Sequence, residues 1–238
     1  MCARPTLVEQ GATRPPRNRQ PRTLVLVRHG ETDWNAEERA QGHADVPLNT
    51  VGRVQAATVA PVLAELEPVR LWSSDLARAL QTAAYVAAAT GLSIEPDARL
   101  REYDVGKRSG LTRAEFAASF PEEYAAWLAE DQSHLVPGEE TTQQVRDRVV
   151  PALRECLASL EPGETGIAVL HGACLKVAVM GLLDWPWELS ESLQGPENCG
   201  YSVLSEHAVR GGLRLTSYNE KAVGARHGPD FATDGPVG

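Results

Sequence analysis

The chain has 238 residues, of which 42% are hydrophobic and 23% charged, and its formal net charge is −9. A chain of this length and composition can bury a substantial core without disulfides or metal ions, so we expect a globular protein. The acidic balance argues against nucleic acid as a partner, because binding to nucleic acid depends on Lys and Arg contacts to phosphate.

Cysteine spacing and hydropathy indicate in which cellular compartment the protein is expected. The four cysteines show no Cys-x-x-Cys pattern, which favours a reduced environment. No apolar run approaches the roughly 20 residues of a membrane-spanning helix, and the N-terminus lacks the apolar segment of a secretory signal. We therefore expect a cytoplasmic protein with no membrane partner.

Composition divides the chain into three parts. Residues 1–22 are rich in Pro, Arg, Gln and Gly and are predicted to form a disordered N-terminal tail. Residues 222–238 carry repeated Gly and Pro and are predicted to form a flexible C-terminal tail. The intervening residues 23–221 show no internal repeat and are predicted to be one domain.

The domain begins with a strand and a helix. Thr23–Val27 is a short run of Leu and β-branched residues, typical of a strand buried on both faces. The pattern from Thr50 to Leu66 predicts a helix, and Val51 and Val54 are placed on its buried face together with Ala57 and Val62.

A second strand and helix follow. Val69–Trp72 is predicted to be a buried strand. Ser74 and Asp75 have side chains suited to capping a helix, and the helical pattern after them ends at Gly91.

The second half of the domain continues the alternation. Its predicted elements are a helix over Thr112–Glu130 interrupted at Pro121, a helix over Thr141–Leu160 that Pro151 should kink or divide, a strand over Ile167–Leu170, a helix over Ala173–Leu183, and a hairpin of strands Tyr201–Glu206 and Leu213–Tyr218 around Gly211-Gly212. This order predicts an α/β fold with a mostly parallel central sheet covered by helices on both faces.

Cationic residues follow three of these strands. Arg28 and His29 end the first strand, Arg78 lies in the first turn after the second, and His171 follows the third. Because ligands of such sheets bind beyond the carboxyl ends of the strands, these four side chains are expected to converge on one anion.

The chemistry of phosphoryl transfer explains this choice of residues. Arginines stabilise the negative charge on a phosphoryl group in transfer, and Gly30 and Gly172 would let the backbone approach the ligand closely. N–H groups at the start of the helix after His171 would add further donors. A neutral His29 can act as the nucleophile, and Glu102 is the leading candidate for the general acid that protonates the leaving group.

Each of these residues taken alone has an ordinary structural explanation. An Arg-His pair is most often a solvated turn, and Arg226-His227-Gly228 repeats the tripeptide with no strand before it, so we interpret that copy as accidental. The prediction depends on the same type of residue recurring at the same position after three different strands.

At these positions the chain resembles the histidine phosphatase superfamily, the phosphoglycerate-mutase-like proteins. The similarity is carried by Leu26–Asn35, Gln41–Asn49, Gly52–Ala56, Ser73–Ala83, Leu100–Glu102 and His171-Gly172, in the order of the family, and covers about residues 23–218. It implies a three-layer α/β/α sandwich. We expect no metal or other cofactor.

The resemblance also implies roles for individual residues. His29 would be phosphorylated, Arg28, Arg78 and His171 would form the phosphate pocket, and Glu102 would donate the proton. Asn35, Gln41 and Gly42 match positions that line the phosphate or substrate side in relatives, and Thr32 lies in the same loop.

The residues after Glu102 separate the phosphatase and mutase branches. Mutases have a Glu-Arg-His-Tyr-Gly stretch here, whereas this chain continues Tyr103-Asp104-Val105-Gly106, closer to phosphatases. The phosphatase branch usually has an aromatic residue two positions after this glycine, and this chain has Arg108. We expect a phosphomonoesterase that acts on a small phosphorylated metabolite, such as a sugar or glycerate phosphate.

Several alternatives stay open at this stage. A mutase that needs a bisphosphorylated primer is the nearest rival, and a non-catalytic module that binds phospho-ligands or a protein is the alternative of another class. A metal hydrolase has no support from ligand spacing. The segment from Asp104 to Thr142 is either a lid over the site or an ordinary helix pair, Trp185 and Trp187 are expected to be packing residues, and a homodimer is one option for the oligomeric state.

Overall fold

The computed structural model describes residues 20–129, 131–208 and 210–222. The two predicted tails fall outside these ranges except for residues 20–22 and 222, and so does the second Arg-His-Gly copy; the tails stay predictions. Two residues that the sequence assigns to the tails contact the domain: Arg22 forms an ion pair with Glu206 at 2.7 Å, and Ala222 is buried against the core.

A single six-stranded sheet forms the centre of the described residues. Its strands are β1 (Thr23–Arg28), β2 (Pro68–Ser73), β3 (Ile94–Pro96), β4 (Thr165–Leu170), β5 (Tyr201–Glu206) and β6 (Leu213–Glu220), in the spatial order β3-β2-β4-β1-β5-β6. The first four in this order are mutually parallel, and β5 alone runs in the opposite direction, antiparallel to its neighbours β1 and β6. The predicted fold class is confirmed. Strand β3 was not predicted, because it has only three residues and ends in a proline.

Seven α-helices accompany this sheet in the described ranges. They are α1 (Asp33–Ala36), α2 (Thr50–Ala64), α3 (Ala77–Thr90), α4 (Arg113–Ser119), α5 (Pro121–Leu128), α6 (Thr142–Ala158) and α7 (Gly172–Leu182). Short 3-10 helices occupy Ala98–Leu100, Gly106–Arg108 and Trp187–Ser192. None of these helices is long and apolar enough to cross a membrane.

The strands are buried on both faces, as their uninterrupted apolar sequences predict. Along β1, Leu24 and Leu26 pack with residues of α6 and α7, whereas Val25 and Val27 pack with residues of α2 and α3. The three layers of the fold follow from this alternation, because successive strand side chains point to opposite faces.

The buried face of α2 differs from the predicted one. Val51 and Val54 are 39% and 51% exposed. The buried side is instead formed by Gly52, Gln55, Ala56, Val59, Ala60 and Leu63, which recur at helical spacing. Gly52 lies against the backbone of Glu31, and this contact sets the rotation of the helix.

The start of α3 also differs from the prediction. Ser74 and Asp75 do not cap it; the N-cap is Leu76, and the N–H of Ala77 donates to the carboxylate of Asp45 at 2.6 Å. Asp75 instead accepts two hydrogen bonds from Arg101. The predicted end at Gly91 is confirmed, with φ of 76°.

The predictions for the proline-containing helices had mixed outcomes. The interruption at Pro121 is confirmed, since α4 and α5 are separate helices that meet at Phe120. Pro151 does not divide α6, which runs from Thr142 to Ala158. The predicted hairpin is confirmed in β5 and β6.

Candidate active site

The two histidines meet because β1 and β4 are neighbours. Arg28 is paired with Leu170 in the parallel register, and the N–H of His29 donates to the carbonyl of Leu170 at 3.0 Å. The next residues along the two strands are therefore adjacent, and the rings of His29 and His171 lie 5.1 Å apart between centroids. Strand β2 ends on the other side of β4, which brings Arg78 of α3 to the same place.

The ring of His29 is held in one tautomer. Its Nδ1 lies 2.7 Å from the carbonyl oxygen of Gly30, and because a carbonyl only accepts, Nδ1 carries the hydrogen. The pKa of His29 is lowered well below its usual value, first by burial and then by the charges of Arg78 and Arg28. The ring is therefore neutral, with the lone pair on Nε2 available to an electrophile.

His171 is tied by both ring nitrogens. Arg78 donates from Nε to Nδ1 of His171 at 3.2 Å, so Nε2 carries the hydrogen and donates to the hydroxyl of Ser74 at 2.8 Å. Burial, followed by the charge of Arg78, lowers the pKa of His171 well below its usual value. This ring is a second neutral imidazole beside the first.

The arginines keep the site positive. The guanidinium of Arg78 is fully buried, and burial lowers its pKa to about 10, so it stays protonated at neutral pH. Arg28 donates from Nη1 to the carbonyl of Pro196 at 2.6 Å, while its buried Nε has no hydrogen-bond partner among the described residues. A side chain at Gly172 would come within 3.3 Å of that Nε, so the glycine makes room for Arg28.

Glu102 lies at the N-terminus of α7 and takes up the N–H groups that we expected to face the phosphate. Its Oε1 accepts from the N–H groups of Cys174 and Tyr103, each at 2.9 Å, and its Oε2 accepts from Ala173 at 3.1 Å. A carboxylate is favoured at this end of a helix. The expectation that these donors face the ligand was therefore wrong for Ala173 and Cys174, although Glu102 itself lines the cavity with the two arginines and His29.

The remaining predicted residues have different positions. Asn35, Gln41 and Gly42 line the cavity, and the buried Oε1 of Gln41 has no partner in the part of the chain that the structure describes. Gly42 has φ of 51° and its carbonyl accepts from Arg78 at 2.7 Å. Thr32 is fully buried and caps α1 through a reciprocal pair of bonds with Asn35, so it shapes the loop and does not line the cavity.

The cavity in front of these residues has a volume of about 500 Å³. Its outer wall comes partly from the segment between Asp104 and Thr142, which places the predicted lid region beside the site. Arg108 stands in this wall, bonded to Glu139 at 2.9 Å and positioned over the rings of Phe116 and Trp127. Trp187 also lines the cavity, so it is more than the packing residue that we expected.

Some residues that hold the site were not found from the sequence. Thr82 accepts from the N–H of Gly30 at 3.0 Å, and Gln55 accepts from the N–H of Glu31 at 2.8 Å. Asn198 donates to the carbonyl of His29 at 3.0 Å. Each acts on the backbone from a distant part of the chain, and no local pattern marks such a contact.

Over the described ranges, no group of three or more His, Cys, Asp or Glu residues could hold a metal ion.

Known proteins share this arrangement of sequence and fold. The profile of the histidine phosphatase superfamily (branch 1) matches residues 24–221. Glucosyl-3-phosphoglycerate phosphatase of Mycobacterium tuberculosis is 36% identical over 197 residues, which cover 80% of this chain and 88% of that protein. A probable phosphoglycerate mutase, GpmB of Salmonella paratyphi C, is 40% identical over 169 residues, which cover 68% of this chain and 76% of that protein.

Solved structures show the same similarity. A mycobacterial glucosyl-3-phosphoglycerate phosphatase in complex with VO3 has a TM-score of 0.76 at 37% identity, and the comparison covers 84% of this chain and all of that one. The profile match extends over almost the whole of the described fold, and it includes the three strand ends that bring Arg28, His29, Arg78 and His171 together. The chain belongs to the histidine phosphatase superfamily.

Proposed function

We propose that this protein hydrolyses phosphomonoesters through a phosphohistidine at His29. The observation that carries the proposal is the tautomer of His29, because the bond from Nδ1 to Gly30 leaves Nε2 free at the floor of a cationic cavity. Nucleophilic attack needs a neutral imidazole with such a lone pair.

The reaction has two steps. In the first, Nε2 of His29 forms a bond to phosphorus while the bond from phosphorus to the ester oxygen breaks, and Glu102, which has taken up a proton from solvent, gives that proton to the ester oxygen. In the second, water attacks the phosphohistidine, Glu102 takes the proton from the water, and the nitrogen–phosphorus bond breaks to release phosphate. Arg28 and Arg78 stabilise the charge on the phosphoryl oxygens in both transition states.

The substrate is proposed to be a phosphorylated sugar or glycerate. Relatives at 36% identity are named for the hydrolysis of glucosyl-3-phosphoglycerate. The cavity is large enough for more than a phosphate group. Its outer wall carries three cations, Arg39, Arg108 and Lys176, together with four carboxylates, Glu123, Asp131, Glu139 and Glu140. Such a wall of mixed charge suits a substrate whose second part is polar and forms several hydrogen bonds, as a sugar does.

A mutase is the second candidate, and the similarity to a probable phosphoglycerate mutase favours it. A mutase would return the phosphoryl group from His29 to a bound acceptor and would need a bisphosphorylated primer. Measuring isomerisation of phosphoglycerate with and without the primer, alongside release of inorganic phosphate, separates the two reactions. Primer-dependent isomerisation faster than phosphate release would favour the mutase.

The His29→Ala variant tests the proposed nucleophile. Hydrolysis of p-nitrophenyl phosphate should fall by at least about 10³-fold, because no other described side chain takes the place of the imidazole. His207→Ala is the matched control, since His207 lies in the turn between β5 and β6 and bonds to Arg210. The wild-type protein, quenched during turnover, should carry acid-labile, alkali-stable phosphate. Full activity in His29→Ala would overturn the assignment, and phosphate binding without turnover by the wild-type protein would favour a non-catalytic module.

We also propose that the protein works in the cytoplasm. Three cysteines lie within the described ranges, Cys156, Cys174 and Cys199, and all three are buried free thiols. Unpaired buried cysteines fit a reducing compartment.

A further inference from the structure

Arg148 lies on α6, does not line the cavity, and reaches the loop that carries Glu102. Its Nη1 donates to the carbonyls of Arg99 and Arg101 at 2.9 and 2.7 Å. Its Nη2 donates to the carbonyl of Glu102 itself at 2.8 Å. One guanidinium thus holds three carbonyls within four consecutive residues, in a stretch where only Ala98–Leu100 forms a helical turn.

Glu140 binds both Arg148 and the part of the loop that follows Glu102 in the chain. It accepts from Nε and Nη2 of Arg148 at 3.0 and 2.8 Å, the paired geometry in which Arg and carboxylate bind most strongly. The same carboxylate accepts from the N–H of Asp104 at 2.8 Å, and the N–H of Glu140 donates to the carbonyl of Asp104 at 2.8 Å. The loop is therefore fixed both before and after Glu102.

The side chain of Glu102 depends on where this loop lies. Its carboxyl group reaches the N–H groups of Ala173 and Cys174 on a different element, α7. A proton donor has to be within about 2.6–3.2 Å of the oxygen that it protonates, and a displacement of about 1 Å can cost 100-fold in rate. A small displacement of the loop would therefore slow proton transfer from Glu102. It would affect phosphate binding less, because phosphate binding depends on Arg28 and Arg78.

We propose that Arg148, together with Glu140, is a positioning residue that holds Glu102 in place for protonation of the leaving group. This inference rests on the proposed phosphatase function. Arg148 touches no reacting atom; it acts through the backbone of residues 99–102 and through the carboxylate that fixes Asp104.

The dependence of the rate on the leaving group tests this role. An alkyl phosphate needs a proton on the departing oxygen, whereas 2,4-dinitrophenyl phosphate releases a stable anion without one. In Arg148→Gln, kcat/KM for an alkyl phosphate should fall roughly 10- to 100-fold further than kcat/KM for the dinitrophenyl ester. A residue that merely stabilises the fold would lower both to the same extent.

Matched variants make the result specific. Arg154→Gln removes an arginine from the same helix whose exposed ion pair with Asp184 lies away from the loop, and it should show no difference between the two substrates. Glu102→Gln should show the full leaving-group effect, and adding Arg148→Gln to it should produce no further difference. Glu140→Gln weakens the bond between Arg148 and Glu140. This variant replaces Arg148→Gln in the same test if Arg148→Gln does not fold.

The outcomes separate this inference from the proposed function. Equal losses on both substrates in Arg148→Gln and Glu140→Gln, or no loss on either, would overturn the role of Arg148 while leaving the phosphatase intact. Absence of dinitrophenyl phosphate hydrolysis by the wild-type protein would instead contradict the proposed function.

Discussion

At the scale of single residues, the buried guanidinium of Arg78 connects the loop after β1, His171 and the proposed phosphate pocket. Its Nη1 and Nη2 donate to the carbonyls of Ala44 and Gly42, each at 2.7 Å, and its Nε donates to His171. Each Nη nitrogen carries two hydrogens, so one on each stays available to a ligand. Arg78 therefore fixes the loop that bears Gln41 and Gly42 and can still bind phosphate.

Arg108 allows a prediction about substrate choice. Replacing it in Arg108→Phe restores the aromatic residue usual in related phosphatases and removes a cation from the cavity wall. We expect KM for a phosphorylated sugar acid such as 3-phosphoglycerate to rise about tenfold, equivalent to about 1.4 kcal/mol of lost binding. KM for glycerol 3-phosphate, which lacks the carboxylate, should change less, as measured by steady-state kinetics.

Glu139 provides the control for that experiment. Its side chain is 8% exposed beside Arg108. Removing the cation alone would leave this carboxylate without its ion pair, which costs up to about 3 kcal/mol of stability. The double variant Arg108→Phe/Glu139→Gln removes both charges, and thermal unfolding would show whether the fold is retained. An equal change in KM for the two substrates would mean that Arg108 does not select for the carboxylate.

At the scale of elements, the loop after β1 is held by the first turn of α2. A side chain on Gly30 would meet the carbonyl of Gly52 at 2.5 Å, and a side chain on Gly52 would collide with the backbone of Glu31. The close approach of the two backbones allows Gln55 to bond to the N–H of Glu31, two residues after the proposed nucleophile His29. The position of His29 therefore depends on how α2 packs.

Gly52→Ala tests this dependence. The added methyl group has to move either the helix or the loop, and we expect a loss of about 1–3 kcal/mol in the free energy of unfolding, typical of overpacking. Because the loop carries His29, kcat/KM should fall for all substrates, measured at a temperature where the variant is folded.

Gly91→Ala is the matched control for that substitution. Gly91 ends α3 at φ of 76° with open space around it, so alanine there costs backbone strain of about 1 kcal/mol without touching the site. Its kcat/KM should be that of the wild-type protein. A Gly52→Ala variant as active as Gly91→Ala would show that the helix does not position the nucleophile.

At the scale of the whole molecule, two buried neutral histidines make folding depend on pH. The pKa values of His29 and His171 are lowered well below 6.5 in the folded protein, mainly by burial. Below about pH 6.5 the unfolded chain takes up protons at these positions that the folded chain does not, so stability falls as the pH falls. The contribution of each such histidine to the slope is half its maximum at about pH 6.5 and approaches about 1.4 kcal/mol per pH unit toward about pH 5.

Chemical denaturation between about pH 5 and 6.5 measures this slope, in a range above the ordinary pKa values of carboxyl groups. We expect His171→Asn to reduce the mean slope over this range by about 1 kcal/mol per pH unit relative to the wild-type protein. Burial raises the pKa of Glu139, so this residue makes stability fall as the pH rises. Its contribution cancels in the comparison, because Glu139 is present in both proteins. An unchanged slope in His171→Asn would mean that this imidazole is protonated in the folded state.

The sequence by itself determined the sheet class and the convergence of Arg28, His29, Arg78 and His171. Strands buried on both faces have uninterrupted apolar sequences, so their ends are visible in the chain, and in parallel strands these ends meet at one edge. The short edge strand β3 was missed because three residues ending in proline carry no such pattern.

Only the tertiary structure decided which hydrogen-bond donors and acceptors of the site pair with one another. The N–H groups of α7 bond to Glu102, some 70 residues earlier in the chain, and Arg148 reaches the same loop from α6. The exposed Val51 and Val54 show the same limit, since the contact of Gly52 with Glu31 sets which side of α2 is buried. Local periodicity describes one element at a time, whereas these bonds depend on how separate elements are packed together.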